Sequence, residues 1–320
     1  MNEELQNQPE PTGEKQEETK IFSTMSPISA AFIALIGIFM LYQFGGALLT
    51  LIIFGFNFEK ADVNALRLLT MAGQILLMLL PTLVLAKYVY RDNISFILRM
   101  RFPSLKEVGA FVLGLILLTP LLQNFLYIQN FLLQKLAAFS PFVKSIMNLL
   151  DKLDDVLEKT YSNLLASHSA FEASFIIFVV AVIPALCEET LFRGFVQKSF
   201  EQKLKPFWSI FITAVFFGLY HFNPYGLIAL IALGVYFGFA AYTSNSIFVP
   251  ITLHFLNNFL AVLAYFIFGK EELINTVATK NDNIIPQLIS LIIFSILFFS
   301  YISYVKINYH KLLPKHSEEL

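Results

Sequence analysis

Charge is scarce in this sequence. Only 14% of the 320 residues are Asp, Glu, Lys or Arg and 57% are hydrophobic, whereas a soluble domain usually carries about 25% charged residues. Water is therefore not the main solvent of the chain. The formal net charge is −1, and no stripe of Lys and Arg follows any segment, so nucleic acid is excluded as a partner. Cysteine is nearly absent: Cys187 stands alone, no internal disulfide can form, and thiols do not hold the fold together. Its thiol, in a helix without a basic group beside it, stays protonated and inert as a nucleophile. There is no H-E-x-x-H zinc helix, no G-x-S-x-G nucleophile turn, no Gly-rich phosphate loop and no internal repeat. All six aspartates, Asp62, Asp92, Asp151, Asp154, Asp155 and Asp282, lie outside the apolar segments, which rules out chemistry by an aspartate pair within a membrane.

Long apolar runs are what the sequence has in abundance. A helix crosses the hydrocarbon core with roughly 20 mostly apolar residues, and that pattern recurs about eight times. The runs cover 28–54, 66–89, 108–131, 171–200, 207–221, 227–242, 247–268 and 285–304. An open strand edge cannot be satisfied in lipid, so each run is predicted to be helical. The expected fold class is all-α, a polytopic membrane helix bundle of about eight transmembrane helices. Residues 1–24 are polar and rich in Glu, Gln and Pro; they read as a disordered tail, too poor in apolar surface to fold alone. That tail lacks the basic start and short apolar stretch of a secretory signal, so the first run is expected to stay as an anchor. Residues 25–132 hold the N-terminal transmembrane helices and 133–170 a surface amphipathic segment, whose Asp151, Lys152, Asp154, Asp155, Glu158 and Lys159 belong in water. A transmembrane core at 171–268 carries the chemistry, and 269–320 supplies the last transmembrane helix with a polar C-terminal tail. Lys and Arg concentrate in alternate connections: Lys87, Arg91, Arg99, Arg101 and Lys106 after the second run, Lys198, Lys203 and Lys205 after the fourth, Lys306, Lys311 and Lys315 after the last. The positive-inside rule then places these loops and both termini in the cytoplasm, as an even number of spans requires.

An ionisable residue inside such a run costs about 2.5–3.5 kcal/mol on insertion scales, so each one calls for a reason. The run 171–200 holds three, in Cys187-Glu188-Glu189-Thr190-Leu191-Phe192-Arg193. Glu189 and Arg193 lie one helical turn apart and can pair, while Glu188 points about 100° away and is left without a local partner. A carboxylate so placed is a candidate general base. Pro184, one turn earlier, cannot donate its backbone hydrogen bond and is expected to kink the helix beside the carboxylates. Of the five histidines, His168, His310 and His316 fall in polar stretches and read as solvated. His221 instead closes the fifth run, one turn after Phe217, and His254 lies inside the seventh, one turn before Asn258. A lone histidine in a membrane helix is usually a hydrogen-bonded packing residue; two of them, with an Asn and a Glu pair, point to a site.

These residues carry a resemblance. The motifs E-E-x-x-x-R, F-x-x-x-H and H-x-x-x-N occur in order, as Glu188-Glu189 with Arg193, Phe217 with His221, and His254 with Asn258. In this the chain resembles the CPBP intramembrane proteases, which include the type II CAAX prenyl endopeptidases and bacterial relatives associated with bacteriocin self-immunity. The likeness runs from about Phe171 to Phe268; the first three runs are alike only in being hydrophobic. It implies an intramembrane endopeptidase in which Glu188 activates water with help from His221, and His254 and Asn258 stabilise the oxyanion. Glu189, Arg193 and Phe217 would be supporting residues. The residues leave two mechanisms open. Glu188, His221 and His254 together make a His2Glu set for Zn2+ with an open fourth position, which would activate a bound water. Without metal, Glu188 deprotonates water directly and the oxyanion rests on histidine and Asn donors. The metal-free version, with no cofactor, is the favoured expectation, because the only carboxylate available to orient a histidine ligand is Glu189, which Arg193 is expected to occupy. The partners expected are the lipid bilayer and a peptide or membrane-protein substrate; prenylated CAAX tails, other membrane proteins and a peptide toxin all fit, and oligomeric state is not legible. Two other functions compete: a non-catalytic, peptide-binding bacteriocin immunity protein, and a proton-coupled transporter with Glu188 and the histidines as its relay. With helix tilts of about 20° and a bend at Pro184, Glu188, His221, His254 and Asn258 are predicted to converge on one polar cavity open toward the cytoplasm.

Overall fold

The computed structural model describes residues 22–55, 62–269 and 283–312. The N-terminal tail up to residue 21, Asp282, Lys315 and His316 lie outside the described residues. Every main element among the described residues is a helix. In chain order they are α1 (Pro27–Phe54), α2 (Val63–Tyr90), α3 (Leu105–Phe139), α4 (Pro141–Leu165), α5 (Ala170–Glu201), α6 (Pro206–Tyr220), α7 (Leu227–Ser244), α8 (Phe248–Phe268) and α9 (Ile285–Leu312). Seven of them are long and apolar enough to cross a membrane, and α6 is apolar but shorter. The difference from the expected eight is α6 alone: at about 1.5 Å per residue its 15 residues reach only ~22 Å, short of the ~30 Å hydrocarbon core.

Local chemistry sets the helix starts. Asp62 accepts from the backbone N–H of Ala65 to open α2, Ser140 caps α4 and Ser169 caps α5. Ser104 and Glu107 form a reciprocal capping box at the start of α3. α3 then runs past residue 132, where a surface segment was expected to begin, and stops only at Ser140-Pro141, where the following proline disfavours helical geometry. α4 is the amphipathic helix. Phe142, Ile146, Leu149, Leu153 and Val156 form one exposed apolar stripe at helical spacing, and Asp151, Lys152 and Asp155 are exposed as well. Such a helix lies in the interfacial plane of a bilayer. Arg67 of α2 fastens its end, donating to the carbonyls of Leu164 and Ala166.

Close backbone approach organises the centre. α6 and α7 form the most extensive helix pair, and Gly234 makes it dense: a Cβ there would lie 3.1 Å from Ala214 Cβ and from the Phe217 ring. Small residues let membrane helices pack in this way, because lipid offers no hydrophobic drive to bring them together. Gly234 and Gly238 also expose carbonyls, which accept from Arg193 (3.1 Å) and Gln197 (3.0 Å) of α5. At one end of the bundle Arg99 is buried in the turn before α3, where it pairs with Glu201 and donates to the carbonyl of Arg193 and to Asn245.

The opposite end holds the connection 221–226. Its polar backbone is met by side chains of other helices: Gln43 donates to the carbonyl of Tyr220, Gln129 to that of Tyr225, and Asn223 accepts from Gly226 N–H. Tyr225 donates its hydroxyl to Asp151 of α4. Irregular backbone at membrane depth is tolerated only where it is satisfied within the protein.

Candidate active site

α5 crosses the centre of the bundle and is not uniformly α-helical. Wider π-helical turns occupy Phe178–Val182, just before Pro184, and Thr190–Val196, just after Glu189. Others lie in α2, beginning at Gln74, and in α1, at Ala34–Ile38 and Leu41–Gly45. Such turns are frequent at functional sites because they re-aim side chains within an otherwise rigid rod.

Glu188 and Glu189 have different partners, as their angular separation requires. Glu189 is fully buried, and its Oε1 accepts from Arg193 Nη1 at 2.8 Å, the pair that one helical turn predicts. The same Oε1 also accepts from His254 Nδ1 at 2.7 Å. The expectation that Arg193 alone occupies Glu189 is thus corrected: a carboxylate oxygen has two lone pairs, and α8 approaches closely enough to use the second. Arg193 is itself fully buried, and its guanidinium lies over the Phe217 ring at 4.3 Å. Phe217 sits against three groups, because His221 is 4.7 Å and His254 5.8 Å from it, centroid to centroid. His254 stacks on Phe237 from the other side. The guanidinium is therefore held by one carboxylate at Nη1, one carbonyl at Nη2 and aromatic faces, while its buried Nε has no hydrogen-bond partner.

Glu188 meets His221. Its Oε2 lies 3.9 Å from His221 Nε2, and the two side chains are 13% and 24% exposed. His221 caps the end of α6, and its Nδ1 lies 2.7 Å from the carbonyl of Phe217. A carbonyl only accepts, so Nδ1 carries the proton and Nε2 of the neutral ring presents a lone pair. Glu188 Oε1 accepts from Gln74 Nε2 at 3.3 Å, while Oε2 is buried without a hydrogen-bond partner. Tyr161 of α4 comes close as well: 49% of this residue is exposed, yet its phenol is pushed up from the ordinary tyrosine range by burial first and then by the charge of Glu188. A cavity of about 290 Å³ adjoins the site between α1 and α2, lined by Tyr42, Gln43, Thr50, Leu69, Thr70 and Gly73. None of Glu188, His221, His254 and Asn258 lines it.

Asn258 donates to the carbonyl of Val180 in the first π-helical turn of α5, at 3.1 Å, and accepts from Asn257. The predicted residues thus form two groups, Glu188 with His221, and Glu189 with His254 and Arg193, bridged by the Phe217 ring. Asn258 stands beside α5 without bonding to either. Gln74, Tyr42 and Tyr161 escaped sequence reasoning. The signal was an uncharged amide in an apolar run, which hydropathy alone passes over.

Among the described residues no group of three or more His, Cys, Asp or Glu comes together to hold a metal ion. His254 Nδ1 on Glu189 and His221 Nδ1 on the Phe217 carbonyl leave Nε2 of both rings open, the orientation a metal-binding histidine also adopts, so the expectation that Glu189 could not orient a histidine ligand does not hold.

Apolar helices of spanning length, facing outward with large hydrophobic side chains and inward with this polar cluster, define an integral multi-pass membrane protein. Residues 170–260, which contain all three motifs, match the family model described as type II CAAX prenyl endopeptidase Rce1-like. No curated protein and no solved structure matches the chain.

Proposed function

We propose that the protein hydrolyses peptide bonds of membrane-associated or prenyl-CAAX-like substrates with a water molecule activated by Glu188 and His221, without a metal. One observation carries this reading: Glu188 Oε2, buried and unpartnered, faces the lone pair of His221 Nε2 across 3.9 Å. Both atoms are acceptors, and the gap is too long for a direct hydrogen bond. A water molecule seated there donates to both and keeps its lone pairs for the scissile carbonyl. As water attacks, Glu188 takes its proton and hands it to the leaving amine. Glu189 holds the Nδ1–H tautomer of His254; when that ring carries both protons, Nε2–H is free to meet the oxyanion. Asn258 Nδ2 has a second N–H beyond the one given to Val180 and supplies another donor. Glu189, Arg193 and Phe217 fix these groups rather than react. We read the Lys- and Arg-rich connections, and with them both termini, as cytoplasmic, with the short α6 making the eighth pass.

The test is cleavage in proteoliposomes of a panel of prenylated and unprenylated peptides by wild-type protein and by Glu188→Gln. A mass-spectrometric comparison of membrane proteins from cells carrying each form searches for other substrates. The Gln variant keeps the shape of the side chain and loses the base, so its products should vanish while yield and melting temperature stay near wild type. Wild-type turnover by Glu188→Gln would overturn the mechanism. Proton-coupled flux with no cleaved product would establish a transporter, and binding without cleavage an immunity protein.

A further inference from the structure

Gln74 and Tyr42 lie on α2 and α1, outside the matched stretch and in runs that sequence comparison leaves blank. Gln74 is only 5% exposed, and its Nε2 donates both to Glu188 Oε1 and to the hydroxyl of Tyr42, each at 3.3 Å. A primary amide has two N–H donors, and both are spent here. Its Oε1 is buried without a partner. This is a costly arrangement if Gln74 merely fills space, because an apolar side chain of the same size would bring no unsatisfied oxygen of its own. It is coherent if the amide serves Glu188.

We propose that Gln74, oriented by Tyr42, is a positioning residue for Glu188, holding Oε1 so that Oε2 faces His221 and the attacking water. The proposal rests on Glu188 being the base. Gln74 suits both states of that base. Before attack, its N–H stabilises the ionised carboxylate. After attack, a half-turn of the amide presents Oε1 to the protonated carboxyl, which needs an acceptor at that moment. Apolar residues can do neither, and a charged residue can do only one.

Other ionisable groups face Glu188, and none replaces this contact. They are His221 and Tyr220 from α6 and its end, Tyr42 from α1, Tyr161 from α4, and Cys187, Glu189 and Arg193 on its own helix. Arg193 is turned to Glu189, and the others are hydroxyls, a thiol, a carboxylate and an imidazole whose lone pair points at Glu188.

Gln74→Leu, Gln74→Glu and Tyr42→Phe test the proposal, with Glu188→Gln run beside them in the same peptide-cleavage assay. For Gln74→Leu, kcat should fall about ten-fold with KM unchanged, and the acid limb of kcat/KM should move up by about one pH unit, since a hydrogen bond to a charged group favours the charged form. The sign follows from the base having to be ionised: without its donor, ionisation needs higher pH. Gln74→Glu keeps the shape and places a second carboxyl beside Glu188, so the pair shares a proton and the limb moves up further. Tyr42→Phe should move it in the same direction by less. If Gln74→Leu does not fold, Gln74→Glu and Tyr42→Phe carry the test alone. Wild-type kcat and pH profile in the folded variants, with Glu188→Gln inactive, would overturn the role of Gln74 while leaving the base in place. Activity in Glu188→Gln would instead remove the reading beneath it.

Discussion

Replacing Glu189 with alanine should be among the most destabilising single changes available in this protein. Glu189 is fully buried and one of its oxygens accepts from both Arg193 and His254. Removing it leaves a fully buried guanidinium with the carbonyl of Gly234 and the aromatic faces of Phe192, Phe217 and Phe237, and no counter-charge. Breaking a buried pair from one side costs about 3–5 kcal/mol, because the surviving charge stays desolvated. The retained carbonyl and ring contacts place the expectation toward the lower end, about 3 kcal/mol. Removing both charges is different: with Glu189→Leu and Arg193→Leu together no charge is stranded, and much of the loss should be recovered. The assay is equilibrium unfolding in mixed micelles, followed by far-UV ellipticity, for both single leucine variants, the double variant and Glu189→Ala. A coupling energy of about 2 kcal/mol or more is expected from the cycle. Additive leucine variants, or Glu189→Ala within about 0.5 kcal/mol of wild type, would show that the ion pair does not hold the centre of the bundle.

Two further outcomes are expected. Purified active protein should contain substoichiometric zinc and keep its activity after dialysis against a chelator; one zinc per chain, lost and restored together with turnover, would refute the metal-free mechanism. Gly114→Ala should destabilise by about 1–3 kcal/mol through overpacking, because a Cβ there meets the hydroxyl of Tyr236, which is held by the carbonyl of Phe111. Unchanged thermal stability in detergent would mean that α3 and α7 are not in close contact.

The spans were legible because lipid leaves a chain few options, and apolar runs long enough to cross it become helices. The Glu189–Arg193 pair was legible for the same kind of reason, since one helical turn brings the two side chains together whatever the rest of the fold does. What pairs across helices was not. That His254 finds Glu189 rather than Glu188 depends on how α8 is rotated against α5, and the spacing of residues along one helix does not determine that. Gln74 went unnoticed because an amide in an apolar run carries no charge to stand out.

The shortness of α6 makes membrane thickness part of the site. A helix of ~22 Å in a core of ~30 Å leaves a mismatch that lipid and protein must share, by thinning the bilayer beside it or by tilting the helices around it. His221 terminates that helix, whereas Glu188 sits well inside α5, which is long enough to cross on its own. Acyl chains that lengthen or shorten the core therefore act on one partner of the water-binding gap more than on the other. On the proposed mechanism, the distance that decides whether a water molecule touches both acceptors is then tuned by lipid composition as well as by the protein.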